Sequence, residues 1–165
     1  MNHFSFESKE RNFFLALMAI GVVCLGITFF TDDALHTRFW SNFLVNSVFF
    51  TGIAFMALFI LAAFITAYAG WHIVFKRLWE AYAEFLLIGL ILMTIIVVAV
   101  FGGFTHLYHW SDIGAVAKDK LLTGKSSFLN KYWYAIGTLA IMGVWYFVFT
   151  RKLRSLSILE DEQGS

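Results

Sequence analysis

Four long apolar stretches decide what this chain can become. Residues 13–30, 43–69, 85–104 and 132–150 hold no Asp, Glu, Lys or Arg. Each is about 18 residues or longer, enough α-helix to cross the hydrocarbon core of a bilayer. A spanning segment must satisfy its own backbone polar groups, and a helix does so within one segment. The expected fold class is therefore all-α, an integral membrane four-helix bundle. Only 14% of the 165 residues are charged, against about 25% in soluble domains. The four spans and their connections take up nearly all of the chain, which leaves no length for a soluble domain. A formal charge of +1 gives no footprint for nucleic acid.

The domain organisation follows from the same runs: a polar tail over residues 1–12, a four-span domain over 13–150 and a second polar tail over 151–165. Residues 5–12 carry Glu7 and Glu10 beside Lys9 and Arg11, and no small-x-small site follows the first run. That run reads as an uncleaved anchor rather than a signal peptide. Four spans put both tails on one side. The tails and the middle connection hold Lys9, Arg11, Lys76, Arg77, Arg151, Lys152 and Arg154, against Arg38, Lys118, Lys120, Lys125 and Lys131 opposite. The bias predicts cytoplasmic termini in a bacterial inner membrane. Trp and Tyr gather near the ends of the runs, as expected for rings that prefer the headgroup level. The chain has no Pro, so regular helices are expected.

The polar residues near the spans are the candidates for chemistry. Asn42 with Asn46, and Ser47 with Thr51, are spaced to share neighbouring helix faces; their ordinary role is interhelical hydrogen bonding. Asn42, Asn46, Tyr68 and Glu84 form a candidate proton path. Glu84 also reads as an anion favoured by the dipole at the start of the third span. Residues 71–82 have the pattern of an interfacial helix leading into that span, with Lys76 and Glu80 at an attractive i, i+4 spacing. The long connection over 105–131 reads as a docking loop with a short helix near 115–122. His106 and His109, at its start, are candidates for outer-face docking or quinone contact. The tail over 156–165 is acidic, and its residues 160–165 read as a solvated linker.

Other chemistries find little support. Haem in a four-helix bundle needs histidines at matched depth on facing helices; His36, His106 and His109 all fall near one end. Metal ligation by His106 and His109 would need acidic partners at helical spacing within the spans, and there are none. Cys24 stands alone in the first run, too few thiols for an iron–sulfur cluster. No span contains an ionisable residue of the kind that marks autonomous channels and pumps. No phosphate-binding, dinucleotide or nucleophile-elbow motif is present. No cofactor, metal or catalytic residue is therefore expected in this chain.

Several words in the sequence nonetheless share a pattern. They are Arg38-Phe39-Trp40-Ser41-Asn42-Phe43-Leu44-Val45-Asn46-Ser47, Gly52-Ile53-Ala54, Ala69-Gly70-Trp71 with the basic stretch after it, Leu107-Tyr108-His109-Trp110, and the loop from Lys120 to Tyr132 with its Leu129-Asn130. Together they resemble a family of membrane anchors found in bacterial alternative complex III, a quinol:cytochrome c (or quinol:oxidase) oxidoreductase. The family belongs to the polysulfide-reductase-like membrane-anchor superfamily, as does a paralogous anchor of the same complex. Its members have many more than four spans, so the resemblance implies the N-terminal part of a longer polypeptide or a reduced version of one. It further implies electron-transport respiration. The chain would be a packing and docking partner of redox subunits that carry c-type haems and iron–sulfur clusters, and would contribute to proton translocation. Quinol would be the substrate of the complex. The resemblance carries over no catalytic residue. The alternatives are a self-contained four-helix quinone- or haem-binding protein and a non-catalytic tetraspan scaffold.

Overall fold

A computed structural model describes residues 8–105 and 107–163. Seven α-helices account for most of them: α1 Ser8–Thr31, α2 Thr37–Thr66, α3 Ile73–Gly102, α4 Ile113–Lys118, α5 Lys120–Lys125, α6 Lys131–Val144 and α7 Arg151–Gln163. The described residues contain no strand. A six-residue π-helical segment, Trp145–Thr150, joins α6 to α7 without a break. Among the described residues, four helical stretches are long and apolar enough to span a membrane: α1, α2, α3 and Lys131–Leu159.

The helices outrun the apolar stretches that announce them. α3 begins at Ile73, so the expected interfacial helix and the third span are one rod. This corrects the dipole reading of Glu84, which lies three turns inside the helix, beyond the first turn where the macrodipole acts. α2 ends at Thr66, three residues before its apolar run does. The expected helix near 115–122 is two helices. Asp112 Oδ1 accepts from Gly114 N–H and Asp119 Oδ1 accepts from Leu121 N–H, each at 2.8 Å. A side-chain cap of this kind marks a helix start, so the break falls at Asp119. α3 stops at Gly102, and Gly103 follows with a φ of 71°, which a residue without Cβ adopts at no steric cost. His109 therefore lies in a separate turn, His109–Ser111.

α2 and α3 form the centre. On α2 the buried Ser47, Thr51, Ala54, Leu58 and Leu61 recur every three or four residues. They face Ala83, Leu86, Gly89, Met93, Ile96 and Val100 of α3. Leu58 and Ala54 share a cluster with Ala83 and Leu86, and Phe43 and Leu44 pack near Ile96 and Val100, so the two helices run antiparallel. Small residues let the backbones approach, which is how helices associate where lipid is as apolar as the side chains. The approach is tight at Gly89, where a Cβ would collide with the Thr51 side chain. α6 lies on the other flank of α3, also antiparallel, with Met142 against Met93. α1 contributes no buried residue. It touches α2 at the turn between them, where Phe29 stacks on His36 at 3.9 Å and meets Phe39 edge-on at 5.2 Å.

Candidate functional site

Where α3 begins and α7 leaves the bundle, charged side chains converge on a cavity of about 280 Å³ between α2, α3 and α7. Its walls include Leu58 and Leu61 of α2, Arg77, Glu80 and Glu84 of α3, and Arg154 and Ser157 of α7. Arg154 pairs with Glu84. The Ser157 hydroxyl donates to Glu80, which also lies 3.6 Å from the Arg77 guanidinium. Lys76, only 3% exposed, donates to the Ser157 carbonyl at 3.2 Å. Glu80 thus turns to Arg77 and Ser157, while Lys76 reaches across the helix pair to a carbonyl of α7.

The π segment makes this convergence possible. At about 100° per residue, an uninterrupted α-helix would carry Thr150, Arg154 and Ser157 about 60–120° round from Met142. The wide turn absorbs one residue, which returns all three to within about 40° of Met142. Thr150 shows the altered register directly, its hydroxyl donating 3.1 Å to the carbonyl of Trp145, five residues back. Both α6 and α7 can then face α3. α7 runs to Gln163, so helix continues into the stretch read as a solvated linker, and Ser157 just before it is fully buried. The π segment also departs from the regular helices expected in a chain without Pro.

The opposite end holds an aromatic cluster. Tyr108 stacks on Trp110 at 4.9 Å, and both rings meet Tyr134 at 5.2 and 5.4 Å. The Tyr108 and Tyr134 hydroxyls share a 3.2 Å hydrogen bond. Phe43 and Leu44 from α2 pack against the same buried core. Asn130 caps α6 by accepting from Trp133 N–H at 3.0 Å, while its amide donates to the Ser126 and Ser127 carbonyls. His109 is exposed beside the cluster; His106 lies outside the described residues.

The candidate proton-path residues are not brought together. Asn42 and Asn46 lie near the start of α2, with the Asn46 amide donating 2.8 Å to the Asn42 carbonyl. Tyr68 lies past the other end of α2, 94% exposed with a φ of 49°. Glu84 alone joins the charged cavity. Ser47 and Thr51 are buried between α2 and α3, and the Thr51 hydroxyl makes no hydrogen bond. Sequence reasoning missed Arg77, Glu80, Arg154 and Ser157 as members of one site. The signal was present as Glu80 and Glu84 one turn apart, but their partners lie 70 to 77 residues away. Among the described residues no three His, Cys, Asp or Glu side chains gather closely enough to share a metal ion. No family model, curated protein or solved structure matches the chain.

Proposed function

We propose that this chain is a membrane anchor of a respiratory quinol:cytochrome c (or quinol:oxidase) oxidoreductase complex, packing against and docking the redox subunits. The observation that carries the reading is where the resembling words meet. Phe43 and Leu44, from the start of α2, and Tyr108 and Trp110, more than sixty residues later, pack against one core at one end of the bundle. The loop that ends in Leu129-Asn130 contributes the adjoining α6 cap. Three of the words thus meet at one end of the bundle, where a docking face would lie, while Ala69-Gly70-Trp71 lies at the other end. α1 supports the same reading, since its apolar sides are left to lipid or neighbouring helices.

The test is to purify the chain in mild detergent and identify its stoichiometric companions by mass spectrometry. Multihaem c-type and iron–sulfur subunits in fixed ratio are the expected result. A chain that emerges alone overturns the proposal. A Soret band in the isolated chain would then favour the self-contained haem protein, and unrelated companions would favour the tetraspan scaffold. A role in proton translocation is a second reading, favoured by Glu84 in the charged cavity. Unchanged proton coupling in the Glu84→Gln complex would remove it.

A further inference from the structure

We infer that the charged cavity between α2, α3 and α7 is a binding site for an anionic glycerophospholipid, with the phosphate held by Arg154 and the root of the acyl chains on Leu58 and Leu61. Three observations lead there, none of which depends on the proposed membership of a respiratory complex.

The first is charge. The cavity wall holds two guanidiniums, Arg77 and Arg154, and two carboxylates, Glu80 and Glu84. The carboxylates lie deeper than the guanidiniums: the Glu80 and Glu84 side chains are 17% and 39% exposed, those of Arg77 and Arg154 69% and 62%. A ligand arriving from the membrane surface meets the cations first. The second is donor capacity. A guanidinium has five N–H donors in a planar fork, and Arg154 directs Nη1 to Glu84. The rest of the fork remains for a phosphate, the group whose geometry it matches. The third is shape and depth. The cavity has a polar mouth and an apolar wall of Leu58 and Leu61, at the level where the apolar runs of α2 and α3 give way to charge. Its volume of about 280 Å³ is at the lower end of small-ligand pockets. That suits a headgroup and glycerol, with the chains outside in the bilayer. Cationic side chains at the mouth of a pocket between spanning helices recognise anionic headgroups in this way. The inference holds for either orientation of the chain.

The full chain, with whatever proteins accompany it in mild detergent, is tested with phosphatidylglycerol, phosphatidylcholine and inorganic phosphate. Retained lipid is read by native mass spectrometry and stability by thermal shift. Phosphatidylglycerol is expected to be retained in preference to phosphatidylcholine and to raise Tm, with inorganic phosphate giving no comparable protection. Arg154→Gln should weaken retention about fivefold, the effect of one cation at a membrane surface. Glu84→Gln removes the competing carboxylate and should strengthen retention by a similar factor. Lys120→Gln, at the far end of the bundle, should change nothing. Equal retention of the two lipids overturns the inference, and so does protection by inorganic phosphate as strong as that by the lipid. If Arg154→Gln fails to fold, Glu84→Gln decides alone: unchanged or weaker retention overturns the site.

Discussion

At the scale of single residues, two positions hold more of the structure than their chemistry advertises. Gly89 leaves no room for a Cβ against α2, and the side chain it faces is the branched, buried Thr51. Gly89→Ala would force the methyl into Thr51, a strain of about 1–3 kcal/mol for an overpacked core. The double variant with Thr51→Ala should recover most of that loss, because it vacates the same space. Thermal denaturation of the four chains of this cycle measures the coupling; a loss that Thr51→Ala does not relieve would mean that the two helices touch elsewhere. The second position is Asp32. The N-cap of α2 is His36, which offers no side-chain cap, so Asp32 reaches over the turn and accepts from Phe39 N–H at 2.8 Å and from Asp33 N–H at 2.9 Å. Desolvation pushes its carboxyl up, but the backbone N–H groups of Phe39, Asp33 and Arg38 and the Arg38 charge outweigh it and hold it below the ordinary aspartate value of 3.8. A group with a depressed folded pKa stabilises above its unfolded pKa and loses that contribution as pH falls through the folded one. The α1–α2 turn should therefore loosen only below about pH 4. The protection of the Phe39 amide against exchange, taken relative to its intrinsic rate at each pH, should fall there, and in Asp32→Asn it should be low at neutral pH as well.

At the scale of elements, the legible and the illegible divide along a physical line. The spans could be read because burial in lipid requires long uncharged runs, and the fold class follows from their number. Helix ends were harder. Amphipathic turns such as Ile73–Glu84 are too polar to count as span, yet they continue the rod. The π segment left no mark in composition, since Trp145–Thr150 is as apolar as any α-helical stretch; only the need for Met142 and Arg154 to face one neighbour reveals it. Without it α7 reads as a tail, and the charged cavity has no second wall. A π turn is one residue more than the α-helix needs, which makes a deletion prediction. Removing Val148, an exposed residue of the segment, should convert it to α-helix and leave Met142, Arg154 and Ser157 on the α3 side. Removing Ile141 instead should turn Tyr134 away from Tyr108 by about 100°. The first deletion is expected to keep a melting temperature near that of the parent, and the second to lower it clearly. Equal damage from both would argue that the wide turn has a role other than register.

At the scale of the whole molecule, the arrangement is a tight centre of α2 and α3, a flank of α6 and α7, and α1 joined at one turn. The two ends differ in chemistry, aromatic rings at one and ion pairs at the other, and this asymmetry predicts an orientation. Basic residues resist transfer across a bilayer, so the end richer in Lys and Arg is expected on the cytoplasmic side. The count of seven against five is modest, but the clusters Lys76-Arg77 and Arg151-Lys152-Leu153-Arg154 lie immediately beside span ends, where the rule acts most strongly. Cys24 is the only cysteine, so Cys24→Ser gives a clean background for labelling. In it, Ser127→Cys should react with a membrane-impermeant maleimide on intact cells. Val74→Cys and Ser155→Cys should react only after the membrane is opened. The reverse pattern would invert the molecule and put the ion-paired cavity outside. Opposite behaviour of Val74→Cys and Ser155→Cys would be the more damaging result, because Lys76 and Glu80 could not then reach Ser157, nor Glu84 reach Arg154. Agreement between those two sites therefore tests the antiparallel pairing of α3 with α7 as well as the number of crossings.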